Sequence, residues 1–118
     1  MRFMMLMMPK IQQSYDEARE VAPEALEAMG EFNNQLSKAG VLLAVDGLHP
    51  PETGVRVSFS GGRAKATDGP FAETKELVGG YWMIDVKSKD EALHWALRCP
   101  ALEGDVIEVR QVQEFEGA

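Results

Sequence analysis

The segment Gly54–Gly69, "GVRVSFSGGRAKATDG", has the clearest local pattern in the chain and determines how the rest is interpreted. Val55, Val57 and Phe59 alternate with polar residues, which is typical of a strand with two different faces. Gly61-Gly62 has the composition of a two-residue hairpin turn. The segment is therefore predicted to be a β-hairpin.

A two-residue turn also fixes how the two strands pair. Phe59 then faces Ala64 and Val57 faces Ala66, so one side of the hairpin is apolar, and we expect it to be buried. The other side is polar and basic. This pattern is more typical of a solvated edge strand, which resists aggregation, than of an anion-binding site. The cations of the hairpin are Arg56, Arg63 and Lys65.

Strands and helices are predicted on both sides of the hairpin. Pro23 suits the first turn of a helix, and an apolar stripe from Ala25 to Ala39 predicts that this helix ends at Gly40. Ser88 and Glu91 form a capping box that begins a second helix. Its buried side is predicted to contain Ala92, Leu93, Ala96 and Leu97. Short apolar runs predict buried strands at residues 2–8, 41–45 and 80–86, and a last strand spans 105–112.

The order strand, helix, strand, hairpin, strand, helix, strand predicts one α+β domain over residues 1–118. It indicates a ferredoxin-like βαββαβ sheet with an inserted β-hairpin and both helices on one face. The runs "FMMLMM" (3–8) and "YWMI" (81–84) are apolar on both faces. An antiparallel sheet with one wet face should alternate instead. A second copy of the chain is therefore expected to cover the other face in a homodimer.

Composition excludes several classes of protein. The formal net charge is -7 and the pI about 4.8, so a nucleic-acid partner is not expected. A single cysteine, Cys99, excludes a disulfide within the chain and a cysteine-based metal site. No run reaches the ~20 apolar residues of a membrane span, and the start of the chain lacks the features of a signal peptide. A cytoplasmic protein that does not bind membranes is expected.

The loop "DGLHPPET" (46–53) contains a histidine whose backbone is restricted. His49 stands directly before Pro50-Pro51, and prolines constrain both themselves and the preceding residue. Its imidazole is a candidate acid–base group. The alternative interpretation is an ordinary loop histidine without a catalytic role. His94, on the second predicted helix, is interpreted as part of a solvated face.

The segment "TDGPFAETKELVGGYW" (67–82) combines turn residues with ionisable ones. Asp68 either stabilises the turn through Gly69-Pro70 or has a functional role. Gly79-Gly80 permits close approach of backbone or ligand. The predicted catalytic residues are His49 and Asp68, and the predicted substrate-binding residues are Glu73, Lys75 and Trp82. No ligand spacing indicates a metal or another cofactor, although a hard cation held by Asp46, Asp68 and Glu73 stays open.

The quoted motifs resemble a known family. Residues 48–82, "LHPPET" through "DGPFAETKE" to "GGYW", are similar to the core of DGPF-domain proteins of the YCII-related family, and residues 32–50 and 87–100 are similar too. The resemblance implies a ferredoxin-like fold that pairs into a dimeric α/β barrel. It also implies a His–Asp dyad, for which Asp68 is the matching aspartate. The family's helix histidine would fall near Met29 or Gly30, where this chain has none, so His49 is the substitute candidate.

Two functions follow from the resemblance and the residues together. Relatives in the wider barrel group include muconolactone isomerase-like and monooxygenase-like enzymes that act on small organic molecules. The first hypothesis is therefore a cofactor-independent enzyme that uses His/Asp acid–base chemistry on a small polar molecule. DGPF-type genes also neighbour genes of extracytoplasmic-function sigma factors. The second hypothesis is therefore a small-ligand-binding or regulatory accessory protein.

Overall fold

A computed structural model describes residues 1–10, 22–69 and 77–115. Over these residues the chain is α+β, which confirms the predicted class, and its elements follow the predicted order. They are β1 (Arg2–Met8), α1 (Pro23–Lys38), β2 (Leu42–Gly47), β3 (Val55–Ser60), β4 (Arg63–Asp68), β5 (Gly80–Asp85), α2 (Lys89–Leu97) and β6 (Val106–Gln111). A short 3-10 turn, Pro51–Thr53, lies between β2 and β3.

Four strands form an antiparallel sheet in the order β2-β5-β1-β6, which is compatible with a ferredoxin-like fold. Phe3 pairs with Ile84, and Met5 pairs with Trp82, so these four side chains share one face. All four are buried and belong to the same apolar cluster as residues of both helices. The two helices therefore cover one face of the sheet. Burial of these apolar side chains supplies the main stabilisation of the domain.

The first helix begins and ends where its sequence predicts. Pro23 stands in its first turn, and Gly40 follows its end with a φ of 75°. A left-handed backbone at that position is accessible to glycine at little steric cost. Phe32 and Leu36 point from α1 into the core.

The second helix has the predicted cap but a different buried side. The Ser88 hydroxyl accepts a hydrogen bond from the Glu91 amide at 3.1 Å. Ala92 and Trp95 are buried, whereas the predicted core residues Leu93 and Leu97 are exposed, Leu97 at 77%. The large indole of Trp95 packs near Phe32, with ring centroids 6.5 Å apart. This packing turns the leucine pair towards water, so that part of the prediction is wrong.

The sheet face opposite the helices is apolar and only half-buried, and we call it the open face. Met4 pairs with Met83 and Leu6 pairs with Tyr81 on this side. Each of these four side chains stays only half-buried. The central strands thus carry apolar residues on both faces, as the sequence predicted.

The hairpin has the predicted register but not the predicted burial. Phe59 pairs with Ala64 and Val57 pairs with Ala66 around Gly61-Gly62, whose φ angles are both positive. Every residue of β3 and β4 is nevertheless exposed, and Phe59 is exposed at 79%. The prediction of a buried apolar side is therefore wrong for the single chain. The physical reason is that β3 and β4 pair only with each other among the described strands.

The strand β2 also differs from its prediction as a buried strand. It lies at an edge of the sheet, and each of its residues after Leu42 is exposed. Its pairing with β5 is interrupted by a bulge between Leu42 and Ala44, where one extra residue is accommodated. A strand at an edge has one neighbour only, so its side chains are covered less than those of β1 or β5.

Candidate functional site

The site that we consider lies at the end of the sheet where β2 stops and β5 starts. Gly47 pairs with Gly80 there, and the Leu48 amide donates to the Gly79 carbonyl at 2.9 Å. A Cβ atom on Gly80 would lie 2.9 Å from the Asp46 carbonyl oxygen, so only glycine fits without a shift. The glycine pair of the sequence therefore serves a close approach between two backbones.

A tyrosine and an aspartate form a short hydrogen bond beside these glycines. The Tyr81 hydroxyl donates to Asp46 Oδ2 at 2.6 Å, across the β2–β5 pair and on the open face. This hydrogen bond, with the negative charge of Asp46, raises the pKa of Tyr81 above its usual value of about 10. The phenol therefore stays protonated at neutral pH.

His49 follows this strand end and is exposed. The chain turns directly after it, where the Thr53 amide and the Thr53 hydroxyl both donate to the Pro50 carbonyl, at 3.2 and 3.1 Å. Two prolines and two hydrogen bonds thus define the turn that follows the histidine.

Asp68 lies at the end of β4, paired with Val55, and is exposed. The next residue, Gly69, donates its amide to the Gly54 carbonyl at 2.8 Å. A Cβ atom on Gly69 would overlap the Pro51 carbonyl oxygen and would lie 3.0 Å from the Pro51 carbonyl carbon. The Asp-Gly pair therefore packs directly on the turn that follows His49.

These contacts bring together the two loops that the sequence singled out. Gly69 is the neighbour of Asp68, and Pro51 is two residues from His49, so both candidate catalytic residues flank one backbone contact. The Asp46–Tyr81 pair lies where the same loop leaves the sheet. The two loops and the adjacent strand ends thus carry an imidazole, two carboxylates and a phenol among their described residues.

Comparisons with known proteins give one family. The model of the YCII-related domain matches residues 1–116. The chain belongs to the YCII-related family. An uncharacterised protein of Rhizobium meliloti (strain 1021) is 34% identical over 79 residues, which is 67% of this chain. The chain spans 64% of the length of that relative.

The remaining predicted site residues of this YCII-related domain have different positions. Trp82 is 4% exposed on the helix-facing side, where its indole nitrogen donates to Asn33 Oδ1 at 2.7 Å. Its ring meets Phe32 edge to face, with centroids 5.8 Å apart. It is therefore packed as a core residue, and its neighbour Tyr81 is the aromatic residue on the open face. Glu73 and Lys75 lie outside the described residues.

Sequence reasoning missed the Asp46–Tyr81 pair. Sequence patterns indicate Asp46 only as a candidate ligand of a hard cation, and Tyr81 only as part of an apolar strand. The two residues are 35 positions apart and meet because β2 pairs with β5, and alternation counted along one strand does not reveal which residue of another strand lies opposite. The glycines at 47 and 80 were the available signal, because a close pair of glycines indicates that two backbones meet.

Other features of this YCII-related domain lie away from the site or restrict its chemistry. A groove of about 460 Å³ is lined by residues 111–115, and Gln111 pairs with Phe3, towards the opposite end of β1. Within residues 1–10, 22–69 and 77–115, no three His, Cys, Asp or Glu side chains form a cluster that could hold a metal ion. In the same ranges no helix is long and apolar enough to cross a membrane.

Cys99 is unsuited to act as a nucleophile in this YCII-related domain. Burial, with the nearby charge of Asp105, raises the pKa of the Cys99 thiol to about 11. The thiolate is the reactive form of cysteine, so the side chain is almost entirely unreactive at neutral pH.

Proposed function

We propose that this YCII-related domain is a small enzyme that needs no cofactor and moves a proton on a small polar organic molecule. The single observation that carries the proposal is the contact of Gly69 with Pro51, which joins the loops of His49 and Asp68. His49 acts as the general base or acid, and Asp68 orients its imidazole. Glu73 and Lys75, which follow Asp68 in the sequence, position polar groups of the substrate.

The Asp46–Tyr81 pair supports a substrate that donates hydrogen bonds. The Tyr81 proton is directed to Asp46 at 2.6 Å, so the phenol oxygen offers lone pairs rather than a proton. The Asp46 carboxylate adds further acceptor capacity and a negative charge. A molecule with hydroxyl or amine groups near a carbonyl meets these requirements, and the acidic chain disfavours strongly anionic substrates.

Deuterium incorporation tests the proton-transfer proposal. Hydroxyacetone, dihydroxyacetone and α-hydroxy-γ-butyrolactone are uncharged, carry a hydroxyl group and have exchangeable C–H groups next to a carbonyl. ¹H NMR in D₂O follows the loss of the signals of these C–H groups. The wild type is expected to accelerate exchange of at least one of them. His49→Gln is expected to reduce that acceleration by about 10²–10⁴-fold, because it removes the proton acceptor.

The second histidine supplies a matched control. His94 is exposed on α2, so His94→Gln changes the same residue type away from the site and should leave the exchange rate unaltered. Equal rates in the wild type and His49→Gln would contradict the assigned role of His49. Both variants should keep the wild-type circular dichroism, so that a loss of rate reflects chemistry and not unfolding.

We also propose that the domain works as a homodimer in the dimeric α/β barrel arrangement. The half-buried open face, with Met4, Leu6 and Met83, supports this, because exposed contiguous apolar surface is typical of interfaces. The expected interface exceeds about 2,000 Å² in total.

Light scattering at micromolar concentration should give twice the chain mass of 13.0 kDa. A mass of one chain at that concentration would contradict the dimer.

A non-enzymatic module is the second candidate, because His49 and Asp68 are both exposed and catalytic groups usually act where water is excluded. In that case the same residues hold a small ligand in the cytoplasm and pass a signal to a partner. An extracytoplasmic-function sigma factor is the partner that the DGPF resemblance favours. Amide shifts on addition of the three compounds, without any deuterium exchange, would favour this candidate over the enzyme.

A further inference from the structure

The β3–β4 hairpin has two chemically different faces, and its apolar face is uncovered. The pairs Val57–Ala66 and Phe59–Ala64 lie on one face, together with Val55 and its partner Asp68 at the base of the hairpin. Residues between them form a polar face that includes all three cations of the hairpin. Phe59 is 79% exposed, and Val55 and Val57 are exposed at more than half. We call Val55, Val57 and Phe59, with the two alanines opposite, the apolar arm face.

The described part of the chain leaves the apolar arm face exposed. Among the described strands, β3 and β4 pair only with each other and stand apart from the four-stranded sheet. A two-stranded hairpin is marginally stable in water unless its apolar face packs against something else. The regular pairing of all six residue pairs therefore implies a covering surface.

The base of the hairpin is held to the turn that precedes it. The Gly69 amide is bonded to Gly54, and Gly69 packs on Pro51, which is itself preceded by Pro50. These contacts fix both strands where the hairpin begins and ends.

We propose that the arm packs its apolar face against a second copy of this chain. Charge favours that partner. Residues 55–68 contain three cations and one carboxylate, so their net charge is +2. The net charge of the whole chain is -7, and the residues outside the hairpin therefore carry a net charge of -9. A second copy thus offers an acidic body to the basic arm. Two-fold symmetry makes the exchange mutual, so neither arm stays uncovered.

The dimensions make the arm an addition to the main interface and not the whole of it. A six-residue strand is about 20 Å long, and a two-stranded ribbon is about 10 Å wide. A dimer contains two such faces, and each covers a surface of similar area on the other copy. Together these surfaces bury on the order of 800 Å², which is below the ~1,200 Å² of a stable interface. The inference therefore rests on the homodimer proposed above, and the arm tightens that dimer.

Sedimentation over a concentration series tests the arm. Phe59→Ser is expected to raise the dimer dissociation constant at least 100-fold, because a symmetric dimer loses both phenyl contacts at once. Thr67→Ser, on the polar face of the same hairpin, should stay within about 3-fold of the wild type. A dimer with an unchanged dissociation constant in Phe59→Ser overturns the arm and leaves the sheet-to-sheet dimer standing. A wild type that is monomeric throughout overturns both.

A photo-crosslinking residue in place of Phe59 gives a second measurement that does not depend on the stability of the serine variant. Equal amounts of ¹⁴N- and ¹⁵N-labelled chains are mixed, irradiated and digested. Crosslinked peptides that combine both labels are expected, because the arm contacts the other copy. Crosslinks confined to one label would assign the arm to its own chain and overturn the proposal. An absence of crosslinks in a mixed dimer would show that the arm does not contact the other copy, and would overturn the proposal as well.

Discussion

Leu36→Ala is expected to lower the free energy of unfolding by about 2–5 kcal/mol. Leu36 is 0% exposed in α1 and belongs to the cluster that joins both helices to the central strands. Truncation removes three carbon atoms from water-free surroundings and leaves a cavity that rigid neighbours fill only in part. Urea unfolding followed by tryptophan fluorescence measures the change, since Trp82 and Trp95 lie in the same cluster.

The same helix provides the control for this substitution. Leu26 is 61% exposed, so Leu26→Ala makes the identical chemical change at the surface and should cost no more than about 0.5 kcal/mol. Protein concentration is kept equal, because association shifts apparent stability. Similar losses in both variants would mean that α1 does not pack with the face assigned to it.

Gly69→Ala is expected to cost about 2–3 kcal/mol, or to release the hairpin from its base. The added Cβ would overlap the Pro51 carbonyl oxygen and would lie 3.4 Å from the Glu52 Cα. These are backbone atoms, so they cannot rotate aside as the end of a flexible side chain would. Urea unfolding measures the global effect, and hydrogen exchange of the residue 69 amide, bonded to Gly54 at 2.8 Å, reports local release.

A second glycine separates this clash from the general effect of adding a methyl group. A Cβ on Gly47 would meet nothing within 4 Å, so Gly47→Ala should change neither stability nor amide protection appreciably. If Gly69→Ala behaves like Gly47→Ala, the two loops are not held by this contact. The proposed pairing of His49 with Asp68 would then lose its main support.

Much of the fold could be predicted because its signals are local. Proline and glycine at the ends of α1 and serine at the start of α2 act within one helical turn, and the glycine pair fixes the hairpin register through two residues. Burial is not local. In the sequence, Leu97 fits the apolar pattern of α2 as well as Trp95 does. Only packing against Phe32 determines which of the two side chains is buried.

The site could be predicted only in part, for a related reason. His49 is singled out by its adjacent prolines and Asp68 by its turn, and both are visible within a few residues. The contact that joins their loops involves Gly69 and Pro51, which are 18 positions apart, and no short-range pattern encodes it. The partnership of Asp46 with Tyr81 spans 35 positions and depends on the alignment of two strands.

The bulge in β2 has a consequence for comparing this chain with its relatives. Leu42 pairs with Ile84 and Ala44 pairs with Met83, so Leu43 occupies a place on β2 for which β5 has no counterpart. Leu43 is also exposed, at 53%, and is absent from the core cluster. A homologous chain one residue shorter at this point would keep the same partners on both sides. A one-residue alignment gap at Leu43 is therefore compatible with an unchanged sheet, whereas a gap between Ala44 and Gly47 would disturb the pairing that aligns Asp46 with Tyr81.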